Sequence, residues 1–459
     1  MRKKWRRMAL AAMAAAVSAG MLAGCLGGSK TGSGDSRTEA GTGNGENEAG
    51  GKEAKGEEAK EDGRIPIEIW TWDIATCTEI HQIFEEKFPQ YKIVLTPVES
   101  SQLTQKLQTT LASGGQVPDI CLLEYTHRGK LFQLDIWEDL SAQPYSFPSD
   151  QMLDWLVPNE TDDFGNYVGP EYVAVGALAY KRNLTLKYFG TEDPQELQKM
   201  FPDWDSFIAA GIEVQEKSGG KVFMLPSVGS AGAILKGQSP ETYFEGNHIQ
   251  FNNSIKPIFE RLIEMKQKKT VDMLDYGSPE EAASCGKDDH IFFECPAWAL
   301  SQIIYKNDPD GAGRWGLMLP PGGGYAGTSA SMGVPKGAKN KEGAAAYIKF
   351  FQSTMEGGAL IRDYKSSLIP LKAAYEDPEF YSQKDPFFHD QDVWKVFAET
   401  AKNIKGVRPL NNYDQDFEDS YALAVKTINA SGGDITADEI TKTMVEELVN
   451  KHPELMKED

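Results

Sequence analysis

Residues 65–124 read IPIEIWTWDIATCTEIHQIFEEKFPQYKIVLTPVESSQLTQKLQTTLASGGQVPDICLLE, and the order of patterns in this stretch sets the fold class. Ile67, Ile69 and Thr71 alternate with Glu68, Trp70 and Trp72 at the period of a strand, which closes at Asp73. Thr76 with Glu79 three residues on forms a capping box. Ile80, Ile83, Phe84 and Phe88 then recur at helical spacing until Pro89 ends the run. Tyr91 to Val98 is a second strand. Leu103, Leu107 and Leu111, four apart, mark a second helix that stops at Gly114-Gly115. Residues 119–124, DICLLE, form a third strand with the continuous apolar run of a strand covered on both faces.

Strand, helix, strand, helix, strand implies an α/β fold built on a parallel, doubly wound sheet. Ligands of such sheets bind beyond the carboxyl ends of the strands. Those ends carry Trp72 and Asp73, then Glu99, then Glu124 and Tyr125. Flat aromatic faces beside carboxylates suit a polyhydroxylated ring, whose C–H face stacks while its hydroxyls donate to carboxylate oxygens. The competing reading makes Trp72 a core residue and Asp73 a helix cap.

The chain has 459 residues, 40% of them hydrophobic, so it is globular and long enough for two domains. Its formal net charge of −21 argues against nucleic acid, whose phosphates need a basic surface. The amino terminus has its own logic. Arg2, Lys3, Lys4, Arg6 and Arg7 precede an apolar run from Met8 to Met21, the layout of a signal peptide and too short for a membrane span of roughly 20 residues. The run ends in Leu22-Ala23-Gly24-Cys25, which resembles the lipobox of bacterial lipoproteins. That resemblance implies cleavage after residue 24, acyl chains such as palmitate on Cys25 and a lipid anchor at the extracytoplasmic face of the cell membrane. Cleavage removes five basic and no acidic residues and takes the charge to −26.

Residues 26–63 hold no aromatic side chain and almost nothing to bury, so they cannot offset their ordering entropy and are expected to form a disordered tether. Its mean reach is roughly 35 Å. Cys77, Cys121, Cys285 and Cys295 include no C-x-x-C pair and have no histidine at zinc spacing, so no metal site is expected. A bridge between Cys285 and Cys295 and free buried thiols both remain open. Asp308-Pro309-Asp310-Gly311 lacks the spacing of a calcium loop and reads as a turn. The six histidines are scattered. No G-x-S-x-G elbow, H-E-x-x-H pair or phosphate loop is present, so neither a catalytic group nor a cofactor is expected.

Longer stretches carry a resemblance. FEEKFPQYKI, KLQTTLASGGQVPDICLLE, YVAVGALAYKRNL, FPDWDSFIAAG, CPAWALSQI, WGLMLPPGGG, GVPKGAKNKEGAAAYIKFF and SLIPLKAAYEDPEF resemble, in order and spacing, the family 1 extracellular solute-binding proteins. These are the receptors of ABC importers that include the maltose-binding proteins. The resemblance spans Ile65 to about Lys451 and implies two α/β lobes, each a mostly parallel sheet flanked by helices, around a ligand cleft. Crossings between lobes fall near Val175–Tyr180, near Pro320–Ser331 and between Ile361 and Leu371. The implied division is residues 1–24 signal peptide, 25–63 lipidated cysteine and tether, 65–175 plus 328–368 first lobe, and 176–327 plus 369–459 second lobe.

By the same resemblance Trp298 is the tryptophan that stacks on sugar, Tyr172 and Tyr325 face the cleft, and Arg408 and Tyr413 lie in a loop near the ligand. Cys295 and Pro296 depart from the family's usual Gly-containing turn before that tryptophan. The function implied is a monomeric lipoprotein that captures a small-molecule solute, a mono- or oligosaccharide first, and delivers it to ABC permease subunits. A peptide or polyamine receptor, or a cell-surface glycosidase working through Asp73 and Glu124, are the alternatives.

Overall fold

The computed structural model describes residues 63–457 except 75–77, 171, 328–329, 405–406 and 433. The signal peptide, Cys25, the tether up to residue 62, Thr76 and Cys77 lie outside the described residues. In chain order the strands are β1 (Ile65–Thr71), β2 (Tyr91–Pro97), β3 (Ile120–Glu124), β4 (Val175–Lys181), a short hairpin of β5 (Phe244–Glu245) and β6 (His248–Ile249), β7 (Phe292–Pro296), β8 (Trp315–Met318), β9 (Tyr325–Ala326), β10 (Ala330–Gly333) and a second short hairpin of β11 (Lys384–Asp385) and β12 (Gln391–Asp392).

The first sheet has the order β10-β3-β1-β2. β1 pairs in parallel with β2 and β3, and β10 closes the edge antiparallel to β3. Both faces are covered, which explains the unbroken apolar run of β3. Ile120 and Leu122 join Ile67, Ile69, Phe84 and Phe351 on one side. Cys121 and Leu123 join Trp70, Leu103, Leu107 and Leu131 on the other. The helices Thr78–Lys87 and Lys341–Ser353 pack on the first side, and Ser100–Ala112 and Tyr125–Phe132 on the second.

The second sheet departs from the mostly parallel arrangement expected of it. Its order is β7-β4-β8, with β9 also on β4, and every one of these pairs is antiparallel. Parallel pairing enters only beyond β7, through bridges Phe223↔His290 and Leu225↔Val271. Leu178 and Tyr180 of β4 face a core with Phe292, Met318 and the helices Trp204–Ser218, Val228–Gln238, Lys256–Gln267, Asp414–Ala430 and Ala437–Lys451. Ala177 and Ala179 face the other way, against Phe293, Leu317 and Phe397 of the helix Val393–Asn403. The fold is thus a two-lobed α/β arrangement, with Val173↔Leu368 and Met152↔Leu371 bridges tying a further stretch alongside the entry to β4.

Local chemistry fits the elements. The helix Trp204–Ser218 starts at a capping box of Asp203 with Ser206 and ends at Gly219 in the left-handed conformation. Asp308 is buried in its turn, accepting from the Trp315 indole at 2.7 Å and from Arg314. Cys121, Cys285 and Cys295 are buried free thiols, so the bridge left open between the last two is not formed. No helix among the described residues is long and apolar enough to cross a membrane.

One close approach holds β9 to β4. A Cβ at Gly176 would lie 1.8 Å from Tyr325 Cζ, so the tyrosine ring needs the bare backbone there. Gly176→Ala is therefore expected to destabilise the fold by about 1–3 kcal/mol, the usual cost of overpacking, measurable by denaturant unfolding. Wild-type stability in that variant would contradict the packing described.

Candidate functional site

A cavity of about 710 Å³ opens where the two lobes meet. The loop and helix following β3 supply Tyr125, and the segment before β4 supplies Trp155 and Asn159. The passages around β4, β7 and β9 supply Ala174, Glu294, Pro296, Trp298 and Tyr325. The second lobe completes the wall with Lys236, Tyr243, Tyr276, Arg408, Glu418 and Leu423. Its volume lies in the upper part of the range for small-molecule sites, about 300–1,000 Å³, and exceeds the need of a single hexose ring.

Of the residues expected at the site, Tyr125, Trp298, Tyr325 and Arg408 line this cavity. Trp298 follows β7 through a tight turn and leads into a π-helical turn, Leu300–Ile304. It is half-buried and rests against the core, leaving part of the indole for the cavity. Arg408 is 7% exposed and packs over the rings of Tyr243 at 4.4 Å and Tyr125 at 5.6 Å. Its guanidinium meets Asp414 at 2.6 Å and Glu418 at 3.8 Å.

The other six do not line it. Glu124 caps its helix, accepting from Thr126 N at 3.0 Å, and Glu99 is exposed just ahead of the helix Ser100–Ala112. Asp73 is paired with Lys365 at 2.8 Å, and Trp72 packs on the core of the first lobe. Tyr172 is buried under Lys365, with its backbone N donating to Ala330 O. Tyr413 sits in the second core against Phe244 and His452 and donates to Glu454 at 3.2 Å. These side chains have local partners or open solvent that hold them away from the cavity.

Sequence reading passed over Glu294. On β7, Phe292 and Glu294 face the same side, opposite Leu178, and Glu294 falls where that face leaves the core and enters the cavity. Tyr325 donates to Glu294 Oε1 at 2.7 Å and Tyr276 reaches Oε2 at 3.5 Å. Burial pushes the carboxyl up to about 7; the two tyrosine hydroxyls pull it down, and the Glu281 charge adds to the rise. A carboxylate in an otherwise apolar strand, IFFECP, was the available signal. Lys236, paired with Glu418 and lying over the Tyr421 ring, was also missed; nothing in its helix pattern marks it.

Comparison with known proteins follows the same lines. The family of bacterial extracellular solute-binding proteins matches residues 79–389. A lactose-binding protein of Rhizobium radiobacter is 23% identical over 374 residues, 74% of this chain and 83% of that protein. A crystal structure of an extracellular solute-binding protein family 1 member superposes with a TM-score of 0.74 at 22% identity, covering 84% of this chain and 99% of that one. An ABC-transporter-associated binding protein from B. animalis subsp. lactis, in complex with beta-1,6-galactobiose, superposes with a TM-score of 0.67 at 16% identity, covering 86% and 99%.

The raised Glu294 carboxyl has a stability consequence. From the ordinary value of 4.5 up to about 7 the native state holds a proton that the unfolded chain has released. Stability should therefore fall as pH rises through that window, by an amount on the order of 2–3 kcal/mol, and level off above it. Glu294→Gln should remove most of this decline in denaturant unfolding of the ligand-free protein. An identical decline in the variant would show that Glu294 is not its source.

Proposed function

Because the chain belongs to the bacterial extracellular solute-binding protein family, we propose that it captures a carbohydrate in the interlobe cavity and delivers it to an ABC importer. Membership of an extracellular family puts its work outside the cytoplasm. The reading includes a lipid anchor at Cys25, a tether and a monomeric head, with the lobes dividing near residues 175, 327 and 368.

The observation that carries the carbohydrate reading is the make-up of the cavity wall. Tyr125, Trp155, Tyr243, Tyr276, Trp298 and Tyr325 supply ring faces and edges, while the Lys236 and Arg408 cations are matched by acids. Lys236 pairs with Glu418, and Arg408 with Asp414 and Glu418. A wall dominated by aromatic rings, in which Glu294 is a half-buried carboxylate without a cation among the described residues and Asp275 and Asp419 are exposed, suits a neutral polyol better than a polyamine, whose several ammonium groups need several buried carboxylates. Lactose in one relative and galactobiose in another belong to that class.

The mechanism is capture without chemistry. Solute seats on one lobe, the lobes close, and the ring is buried against Trp298; only the closed form docks productively. Closure must gain differential affinity from the second set of contacts.

Calorimetric titration against a panel of mono- and disaccharides, with spermidine and a tripeptide as contrasts, tests this reading. A saccharide should bind, remain intact on prolonged incubation and lose about 1–3 kcal/mol of affinity in Trp298→Ala, the scale of aromatic burial. Saturable binding of the polyamine or peptide alone, or turnover of the saccharide, would replace it with another reading.

A further inference from the structure

We propose that Glu294 is the specificity-determining residue of the cavity: it accepts a hydrogen bond from a ligand hydroxyl and excludes acidic sugars. This rests on the carbohydrate reading and deepens it to uncharged saccharides with a donor hydroxyl facing β7.

The argument begins with what holds Glu294. Each of the two tyrosines on its carboxylate lies against a glycine that no other residue could replace without collision. A Cβ at Gly176 would meet the Tyr325 ring at 1.8 Å, and one at Gly229 would meet Tyr276 Cβ at 2.3 Å. Gly237 adds a third, 2.9 Å from the Tyr325 ring. The buried Tyr325 phenol, braced on two glycines, holds one carboxylate oxygen on the cavity wall, and the half-exposed Tyr276 approaches the other from a different element. A group so fixed recognises a ligand atom without a further ordering cost.

A held position together with spare acceptor capacity distinguishes Glu294 from the other cavity carboxylates. A carboxylate offers about four acceptor sites, and among the described residues Glu294 receives only the two tyrosine hydroxyls, one of them at 3.5 Å. Glu281, behind it, is occupied by Ser227 at 2.7 Å, Ser230 at 2.6 Å and the Gly277 N–H at 2.6 Å. Glu418 is held by Lys236 and Arg408, and Asp419 takes Gln415 at 3.1 Å. Asp275 and Asp419 are exposed, so Glu294 is the cavity carboxylate that joins a held position to room for a ligand donor, and the titratable groups acting on it are acidic, phenolic or thiol: Glu281, Tyr276, Tyr325 and the neighbouring Cys295. None of these groups is a cation, and the cavity's Lys236 and Arg408 are already paired with acids, so a ligand carboxylate beside ionised Glu294 would be repelled.

The chemistry links binding to a proton. A ligand hydroxyl donating to Glu294 favours its ionised form, so seating the ligand expels the proton that burial otherwise retains.

The test uses the full-length mature protein with lactose and maltose as neutral probes and digalacturonate as the acidic one, titrated between about pH 5 and pH 8. Affinity for the neutral probe that binds should rise by about tenfold per pH unit at most, mainly below neutrality, with proton release detected as a dependence of the heat on buffer ionisation. Glu294→Gln should flatten that profile, weaken the neutral probe by about tenfold or more at the alkaline end and narrow its preference over digalacturonate. The pH profile and proton release are read on the unaltered protein as well, so the outcome does not depend on the variant folding. A neutral saccharide that binds with the same affinity, pH profile and acid discrimination in both proteins would overturn this inference and leave the carbohydrate reading standing. Failure of every saccharide at every pH would overturn both.

Discussion

A missing side chain at Gly176 governs the architecture of the site. It lets Tyr325 lie on β4 just where β9 leaves the second sheet and the chain turns back to β10 in the first. The phenol then reaches Glu294 on β7, the opposite neighbour of β4. One strand with a bare backbone position thus joins the passage between lobes to the polar centre of the cavity. Packing at this density tolerates little adjustment, so a methylene added here would be felt at Glu294 as well as in the core.

The lobes also meet away from this axis. A Cβ on Gly129, in the helix after β3, would lie 1.9 Å from the Asn411 carbonyl oxygen ahead of the helix Asp414–Ala430. Nearby, Lys130 reaches Asp416 at 2.9 Å and His452 reaches the same carboxylate at 3.0 Å. Tyr125 lies against Arg408, which in turn covers Tyr243. A buried cation between aromatic rings from two lobes holds orientation, and its partner Asp414 offsets the cost of removing it from water.

Much of the first lobe was legible because local pattern and tertiary environment agree. β1, β2 and β3 and the two helices between them fall within a residue or two of the spans read from alternation and four-residue spacing. The second sheet was not legible. Its strands pair antiparallel across 100 residues and more of intervening chain, and that is a long-range property with no local signature. The site divided the same way. Of the cavity-lining residues, Trp298 and Tyr325 came from collinearity with a family, and Tyr125 from the end of a strand. Asp73, Glu99 and Glu124 carry the right chemistry at the right strand ends, yet a lysine, open solvent and a helix amino terminus claim them. Glu294 was missed for the converse reason: a single acid in an apolar strand reads as an irregularity until Tyr276 and Tyr325 are brought to it from 18 and 31 residues away.

The central claim is that two lobes close over an uncharged saccharide. Spin labels at Ser101, on the first lobe, and Lys442, on the second, would report the separation directly, since both positions are exposed. On titration with a saccharide that binds, the distance distribution should narrow and shorten with the same midpoint as the binding isotherm. A distribution unchanged from the ligand-free protein at saturation would contradict the account.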